Sequence, residues 1–241
     1  MKAPIFASSR AAAFSWLAKQ WREWRWYGFF FCFVWVPLRS VVIDYSPVPT
    51  GSMNPTILEG DVVWIDKLAY GLRVPLTQTY LTRWAEPQRG DIVVVLSPQD
   101  GTRLVKRVVG IPGDTLAMKG NRLELNGHPL VYTAAAADYG AGIARKLRPH
   151  AFFAEEDLGG VVHPVMGLTR IGGALRSFGP VRVPDGKYFL MGDSRDNSRD
   201  SREIGFAAQE AILGQAKGIL VSLDINDRYL PRGDRFFTAL R

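Results

Sequence analysis

The sequence has very few of the residues from which disulfides and metal sites are built. Its single cysteine, Cys32, excludes an intramolecular disulfide and any zinc site made of several cysteines. The three histidines, His128, His150 and His163, are far apart and form no H-E-x-x-H or H-x-x-E-H motif. We therefore expect structural or surface histidines and a fold that is held together by packing alone.

Acidic residues are nearly missing from the start of the chain. The first 25 residues hold five bases against one acid, so this segment carries +4 of the formal net charge of +7. Five of the seven tryptophans lie within the first 35 residues. Bases interleaved with tryptophans are typical of a membrane–water interface. The bases are Lys2, Arg10, Lys19, Arg22 and Arg25, and the tryptophans are Trp16, Trp21, Trp24, Trp26 and Trp35.

A run without charge, WYGFFFCFVWV at 26–36, follows this basic arm. Together with the apolar residues 41–43 it gives about 18 residues, or ~27 Å of helix, against a hydrocarbon core of ~30 Å. We therefore predict a transmembrane anchor at 26–45. The basic arm argues against the alternative of a buried core helix. A cleaved secretory signal is a second alternative, but Arg39 and Asp44 lie where a small-residue cleavage site would be expected.

The excess of bases before the anchor predicts the orientation of the chain. Loops rich in Lys and Arg stay in the cytoplasm. Residues 1–25 are therefore predicted to be a cytoplasmic arm, and residues 46–241 an extracytoplasmic domain.

Beyond the anchor the sequence consists of short apolar runs bounded by Gly, Pro and Asp, which predicts a mainly β domain with antiparallel sheets. Residues 115–180, with an alanine run and scattered glycines, predict an irregular β insertion. The segment 207–222 fits either a short helix or a strand. The predicted strands are 61–66, 91–96, 103–109, 122–130 and 187–192.

Small, hydroxylated and turn-forming residues crowd into PTGSMNPT at 49–56, just after the predicted anchor. A glycine before Ser52 lets a second backbone approach closely, and the Ser52 N–H and the Thr50 hydroxyl can face one oxygen atom. These are the parts of a nucleophile and an oxyanion hole. An ordinary turn explains the same residues.

A serine nucleophile needs a base, and no histidine is supported by a motif, so lysine is the candidate. The two-residue period of RLVKRVV at 103–109 places Lys106 on one face with Leu104 and Val108. Burial disfavours the ammonium form and can bring a lysine pKa from about 10.4 to about 7–8, where the neutral amine accepts a hydroxyl proton. The alternative is an edge lysine whose amine reaches water.

A third cluster, at 191–202, contains three Asp, three Arg and three Ser in twelve residues. Interleaved charges can build a rigid loop that positions Ser198 against a lysine, although a solvated turn has the same composition. The triplet G-D-S at 192–194 is like the nucleophile segment of trypsin-like proteases. Arg195 and Asp196 stand where that family has glycines, which argues against this alternative.

At these segments the sequence resembles the bacterial type I signal peptidases, the membrane-anchored serine–lysine peptidases of the S26 type that remove signal peptides. The resemblance covers roughly residues 26–114 and 181–222, and 115–180 matches only as the family's variable insertion. It implies a signal peptidase-like fold. The matching segments are PTGSMNPT (49–56), GDVVWIDK (60–67), RGDIVVV (89–95), VKRVVGIPGD (105–114) and GDSRDNSRDSREIGF (192–206).

The resemblance implies a role for each matching residue. Ser52 is expected to be the nucleophile, Lys106 its general base, and Ser198 the hydroxyl that orients the lysine amine. The Ser52 N–H and Thr50 would form the oxyanion hole; many members have serine in place of Thr50, which keeps the donor. The remaining implied residues are the ion pair of Asp193 with Arg202, the surrounding Asp200 and Arg195, and the substrate-pocket candidates Val48, Met53, Ile57, Val63, Leu104 and Val105.

The resemblance also implies partners and location. The substrates would be secretory preproteins with small residues at positions −1 and −3 before the cut, typically Ala-x-Ala, bound as an added strand. No metal and no organic cofactor is implied. The expected protein is a monomer in the bacterial inner membrane with one span, a cytoplasmic N-terminus and a periplasmic catalytic domain.

Other functions fit the residues less well. Self-cleaving repressors also use Ser and Lys, but they lack an anchor and carry a DNA-binding domain. An anchored envelope-binding protein or an inactive relative would keep the motifs as structure only. Nucleic-acid binding is not expected, because the excess positive charge lies next to the membrane.

Overall fold

The structure, a computed structural model, describes residues 7–36, 41–135, 139–169 and 175–240. Helix α1, Ala7–Phe30, continues as a π-helical segment, Phe31–Trp35. In the ranges that are described, no helix is both long and apolar enough to cross a bilayer. Residues 37–40 of the predicted anchor lie outside the described residues.

The body consists of short strands, as the apolar runs predict. They are β1 Ile43–Pro47, β2 Asp61–Asp66, β3 Gly71–Arg73, β4 Tyr80–Arg83, β5 Ile92–Leu96, β6 Arg103–Gly110, β7 Thr115–Lys119, β8 Arg122–Leu125, β9 His128–Pro129, β10 Val131–Ala134, β11 Ala151–Asp157, β12 Val162–Leu168, β13 Phe178–Arg182, β14 Lys187–Met191, β15 Ala207–Ala208, β16 Ile212–Asp224, β17 Leu230–Pro231 and β18 Thr238–Ala239. Short 3₁₀ turns at 51–53, 148–150, 209–211 and 233–235 and helix α2, Ser201–Ile204, connect them.

The main sheet is antiparallel and has the order β1-β2-β16-β5-β6-β14-β15. The long strand β16 pairs with β2 through residues 215–222 and with β5 through residues 212–215. The predicted segment 207–222 is therefore strand with one 3₁₀ turn at 209–211. The mainly β, antiparallel prediction is confirmed.

Strand β1 begins inside the predicted anchor at 26–45, before the predicted start of the domain at residue 46. Ile43 and Asp44, which the predicted anchor includes, pair with Asp66 and Ile65 of β2. The sheet therefore begins at residue 43 rather than at 46, because the alternating pattern of β2 buries Ile65 and leaves its edge open to a partner.

The insertion at 115–180 is more regular than predicted. It holds a three-stranded sheet, β10-β11-β12, and a second sheet in which β7, β8 and β9 join β13. The predicted strand 122–130 is a hairpin whose Asn126-Gly127 turn separates β8 from β9. The second sheet covers the cluster around Leu116, Met118 and Leu123, whereas Met166 and Leu168 of the three-stranded sheet pack with Leu58 and Ile143 in a separate cluster. The scattered glycines of the sequence gave no signal for either core.

Apolar side chains form the core on both faces of the main sheet. Strand β5 is buried on both faces, which explains its continuous apolar run. One cluster lies beneath the turn at 51–53 and has Met53, Ile57, Val63 and Val94 at its centre. A second lies between β6, β14 and the insertion. The site described next lies at the junction of these elements.

Candidate active site

Ser52 lies in the 3₁₀ turn Gly51–Met53, which follows directly on the extended residue Thr50. The turn is closed by the Asn54 N–H, which donates to the Gly51 carbonyl at 3.1 Å. A Cβ at Gly51 would lie 2.5 Å from Asn54 Nδ2 and 2.7 Å from Glu59 Oε1, so a larger residue there would displace these two side chains. The Ser52 side chain is half-buried and is held in one place by this turn.

Lys106 comes from β6 and reaches the turn at 51–53. Its Nζ donates to Ser52 Oγ at 2.7 Å and to the Val105 carbonyl at 3.0 Å. The residue is only 2% exposed, so the alternative of an edge lysine that reaches water is wrong. The structure thus brings together a hydroxyl and an amine at hydrogen-bond distance in a site that excludes most water.

Burial controls the charge of this lysine. Desolvation lowers the pKa of Lys106 to about 8, against the opposing negative charges of Asp200 and Asp193; the positive charge of Arg202 adds to the lowering. A lysine with such a pKa supplies an appreciable fraction of neutral amine near neutral pH. The neutral amine can accept a proton from the neighbouring hydroxyl.

The segment 192–202, which we call the charged loop, packs directly on the turn at 51–53. The Ser194 N–H donates to the Ser52 carbonyl at 3.1 Å. A Cβ at Gly192 would overlap Ser198 Oγ and the Ser52 carbonyl oxygen, so any side chain there would push the loop and the turn apart. The charged loop therefore holds the main chain of Ser52, whereas Lys106 contacts its side chain.

The ion pair predicted between Asp193 and Arg202 is not formed. Arg202 Nε and Nη2 instead contact the Asp200 carboxylate at 2.8 and 2.7 Å, because the two residues lie two positions apart at the start of α2. Asp200 also caps α2 and accepts from the Gly192 N–H at 3.0 Å. Burial alone would raise the pKa of Asp200, but the hydrogen bonds and charge of Arg202 hold it below its ordinary value.

Asp193 pairs with Arg107, the residue next to Lys106. The contact is bidentate, at 2.9 Å from Nε and 2.8 Å from Nη2, and both side chains are fully buried. Thr56 donates to the same carboxylate at 2.5 Å, and Arg107 also donates to the Gly90 carbonyl. Burial has the largest single effect and raises the pKa of Asp193, but the charge and hydrogen bonds of Arg107, with His163 and Thr56, together hold it below its ordinary value. Asp193 and its two partners thus join strand β6, the segment 49–56 and the charged loop.

Behind that pair lies a second buried pair in which the insertion takes part. Arg195 Nη2 contacts Glu156 Oε1 at 2.6 Å, and Tyr132 donates to the other oxygen of Glu156. His163 Nε2 lies 3.5 Å from Glu156 and 3.8 Å from Asp193. Burial, with the charge of Arg107, lowers the pKa of His163 to about 4, so this histidine is neutral at physiological pH.

Backbone hydrogen bonds complete the attachment of the charged loop to the insertion. The Met166 N–H donates to the Asp193 carbonyl and the Arg195 N–H donates to the Met166 carbonyl, both at 2.8 Å. They form a parallel bridge between Met166 and Ser194. The insertion thus braces the loop that contacts Ser52.

Ser198 and Thr50 lie at the site, but their predicted contacts are not formed. Ser198 Oγ is buried against Gly192 and makes no hydrogen bond to Lys106, whose amine donates to Ser52 Oγ and to the Val105 carbonyl. Thr50 is exposed, and its hydroxyl does not cap the turn that follows it. The roles of Ser198 towards Lys106 and of Thr50 in an oxyanion hole stay predictions.

Five of the six predicted pocket residues share one buried cluster beneath Ser52. Val48 and Val105 keep a little exposed surface, whereas the others are fully buried. Leu104 differs, because it packs with Val93 and Val95 in another cluster. The role of these side chains as a substrate pocket stays a prediction. The five are Val48, Met53, Ile57, Val63 and Val105.

Sequence reasoning missed Arg107, Thr56, Glu156 and His163. Arg107 gave a signal, since an arginine inside the apolar run VKRVV must find a carboxylate when it is buried. Glu156 and His163 gave none, because the insertion carries no motif. In the ranges that the structure describes, no three His, Cys, Asp or Glu side chains are grouped as metal ligands.

Comparison with known proteins identifies the family. The profile described as "Signal peptidase, peptidase S26" matches residues 21–221. Signal peptidase I of Pseudomonas fluorescens is 34% identical over 202 residues, which is 79% of this chain and 69% of that protein. The signal peptidase I of Buchnera aphidicola subsp. Schizaphis graminum is 30% identical over 243 residues, with 86% of this chain and 76% of that protein covered.

Two further proteins carry the same name. Signal peptidase I of Rickettsia canadensis is 32% identical over 220 residues, which is 85% of this chain and 81% of that protein. A crystal structure of a signal peptidase I from Enterococcus faecalis V583 aligns with 54% of this chain and 97% of its own at 28% identity, with a TM-score of 0.32. The sequence matches extend across the turn at 51–53, strand β6 and the charged loop. They establish that this chain belongs to the signal peptidase family S26, whose members are serine protease hydrolases that process signal peptides.

Proposed function

We propose that this protein is a membrane-anchored endopeptidase that removes signal peptides with a serine–lysine dyad of Ser52 and Lys106. The observation that carries the proposal is the 2.7 Å contact between Lys106 Nζ and Ser52 Oγ, made by a lysine whose pKa burial lowers to about 8. A nucleophile within hydrogen-bond reach of a base that is partly neutral is the arrangement that nucleophilic catalysis requires.

In the proposed reaction, neutral Lys106 accepts the Ser52 hydroxyl proton while Ser52 Oγ attacks the scissile carbonyl carbon. The ammonium then gives that proton to the leaving amine, and an ester joins the signal peptide to Ser52. A water molecule, deprotonated by the same amine, hydrolyses the ester and regenerates both groups. The Ser52 N–H and the Thr50 hydroxyl would donate to the oxyanion in each tetrahedral intermediate.

Each supporting pair has a task in this mechanism. Asp200 and Arg202 compensate each other's charge beside Lys106, so burial rather than a free counter-ion governs its pKa. Arg107 and Asp193 tie the strand that carries the base to the loop that holds the Ser52 main chain. The geometry is therefore preorganised before substrate arrives.

The proposed substrates are secretory preproteins with small residues at positions −1 and −3, as in Ala-x-Ala. Val48 and Val105, the two members of the cluster beneath Ser52 that keep exposed surface, leave little depth for a side chain. A shallow apolar wall accepts a methyl group and rejects larger side chains by overlap. The precursor would lie extended against a strand edge.

We further propose that the chain is a monomer attached to the bacterial inner membrane, with residues 1–25 in the cytoplasm and the catalytic domain in the periplasm. The aromatic side chains of residues 16–35 are exposed on α1 and its π-helical end. Exposed aromatic residues next to bases are favourable when lipid covers them. Carbonate extraction of membranes and protease digestion of spheroplasts test attachment and orientation.

The test of the dyad uses a purified precursor in detergent, with N-terminal sequencing of the product. The wild-type protein is expected to cut after a small-x-small site. Ser52→Ala and Lys106→Ala should each lose cleavage while they keep the β-sheet circular dichroism spectrum. Lys119→Ala is the matched control, because Lys119 is an exposed lysine that pairs only with Glu124; it should cut like the wild type.

Two outcomes would contradict the proposal. Cleavage by folded Lys106→Ala at the wild-type rate would remove the lysine from the mechanism. Failure of the folded wild type to cut several precursors would favour an inactive relative that keeps the motifs as structure.

A further inference from the structure

The hairpin formed by β3 and β4, residues 71–84, has no part in the site described above. It leaves the main sheet as a separate two-stranded ribbon. Its distal part, 74–82, reads VPLTQTYLT and contains no charged residue. An uncharged distal part requires an explanation, because exposed edge strands usually carry charged side chains that prevent association.

The base of the ribbon is fixed firmly to the body. Arg73 donates to the Ile212 carbonyl and, at 2.8 Å, to the Tyr80 hydroxyl. Arg83 pairs with Glu210 at 2.6 Å, and the guanidinium groups of both arginines lie over the Tyr80 ring. The ribbon is therefore a positioned arm rather than a loose loop.

The arm presents large apolar side chains to its surroundings. Leu76 is 78% exposed, Leu81 69% and Trp84 57%. Val74 is exposed as well, and the Trp84 indole N–H donates to the Leu68 carbonyl at the base. Several large apolar side chains on an arm whose distal part, 74–82, carries no charge form a surface that apolar groups can contact.

The position of the arm indicates what its apolar side chains contact. The chain enters the body at Val42, whose carbonyl accepts a hydrogen bond from the Lys67 N–H at 3.1 Å. Leu68, which follows Lys67 in the chain, accepts the hydrogen bond from the Trp84 indole through its carbonyl. The base of the arm is thus only one residue from the point at which the aromatic N-terminal segment joins the domain.

We propose that the arm is a second lipid contact, which inserts Leu76 and Leu81 among the acyl chains while Trp84 lies at the headgroup level. The proposal rests on the membrane attachment put forward above. Tryptophan at the base and aliphatic residues beyond it follow the order of an interface to a hydrocarbon core. A second attachment point would restrain rotation of the domain about its N-terminal segment and keep Ser52 at a constant height above the bilayer.

Single-cysteine labelling of the full chain tests this directly. Cys32 is the only cysteine and is exposed, so the wild type carries an environment-sensitive maleimide dye in the N-terminal segment. The arm is labelled in Cys32→Ser/Leu81→Cys, and a control position in Cys32→Ser/His128→Cys, whose β8–β9 turn is exposed. Each protein is reconstituted in vesicles of phosphatidylethanolamine and phosphatidylglycerol, with and without spin-labelled lipid.

Spin-labelled lipid is expected to quench the dye at positions 32 and 81 and to leave the dye at 128 unquenched. Quenching at 32 but not at 81 would overturn the arm proposal and leave the membrane attachment standing. Quenching at neither position would overturn both. A blue shift at 81 without quenching would mean that a second copy or another protein surface covers the arm, which also overturns the proposal.

An activity measurement gives a second readout. Leu81→Asp is expected to cut a precursor embedded in vesicles several-fold more slowly than the wild type, and to cut the same precursor in detergent at the wild-type rate. Equal rates in vesicles would contradict the proposal. A loss in detergent as well would show a folding defect, and the quenching result would then decide.

Discussion

Replacing Lys106 by methionine should remove activity and, at the same time, change the pH dependence of stability in a defined way. Methionine keeps the length and the apolar stem of lysine but lacks the amine. In the wild type the ammonium is buried next to Ser52, and its pKa is about 8 instead of 10.5. The folded protein therefore contains a charge that the unfolded chain would hold in water.

The size of this penalty follows from the shift of the pKa. A difference of 2.5 pKa units corresponds to about 3 kcal/mol between the two states of protonation. The pKa is lower in the folded state, so the unfolded chain binds more protons between pH 8 and 10.5, and wild-type stability rises with pH across this window. Below about pH 8 the whole penalty acts on the wild type and not on Lys106→Met.

The free energy of unfolding of both proteins should be measured with urea in detergent at pH 7 and at pH 10.5. The unfolding free energy of Lys106→Met minus that of the wild type is expected to fall by about 3 kcal/mol from pH 7 to pH 10.5, because the wild type gains stability over this range and the variant does not. The two lost hydrogen bonds cost Lys106→Met about 1 kcal/mol each, but they do so at every pH. The pH dependence of the difference is therefore the diagnostic quantity.

A difference that stays constant within about 0.5 kcal/mol from pH 7 to 10.5 would refute the reasoning, since the folded pKa would then be ordinary. The kinetic counterpart uses the wild type alone. Its kcat/KM should rise about tenfold per pH unit below pH 8 and level off above it, because only the neutral amine accepts the Ser52 proton. A profile that is flat from pH 6 to 9 would contradict a lysine base.

Three further predictions concern the surroundings of the dyad. Gly192→Ala should lose cleavage, because the added Cβ would overlap the Ser52 carbonyl oxygen. Gly179→Ala is the control: Gly179 has open space around it, so this variant should cut at the wild-type rate. Equal losses in the two variants would contradict the overlap argument. Glu156→Gln leaves the buried Arg195 without its charged partner and should lower the unfolding free energy by about 3 kcal/mol. The control Glu210→Gln removes an exposed pair and should cost less than about 1 kcal/mol. Similar urea midpoints for the two variants would contradict this. Folded His163 resists protonation down to about pH 4, so the wild type should lose up to about 3 kcal/mol of stability from pH 6.5 to 4, and His163→Gln less; parallel curves would contradict this.

Strands β2, β5, β6 and β14 of the main sheet could be predicted because each is short and has an alternating or uniformly apolar pattern. The prediction 61–66 coincides with β2, and 103–109 differs from β6 by one residue. The segment 207–222 stayed ambiguous for a physical reason. Its pattern fits two periods, and only pairing with β2 on one side and β5 on the other selects the strand.

The proposed dyad was also within reach of the sequence, because Ser52 and Lys106 each lie in a distinctive segment. The ion pairs were not. Asp193, Asp200 and Arg202 lie within ten residues of one another, and spacing alone does not choose between partners in such a cluster. The true partner of Asp193 is Arg107, 86 positions earlier, and only the pairing of β6 with β14 brings the two together.

The placement of β16 between β2 and β5 has a consequence for the life of the protein during translation. Ser52 leaves the ribosome early, but the sheet beneath it closes only when residues 212–224 have emerged. At roughly 5–20 residues per second, that interval is on the order of 10–30 s. The charged loop that holds the Ser52 main chain is also synthesised late. A nascent chain thus carries Ser52, the proposed nucleophile, before the contacts around it exist, and those contacts are complete only near the end of synthesis.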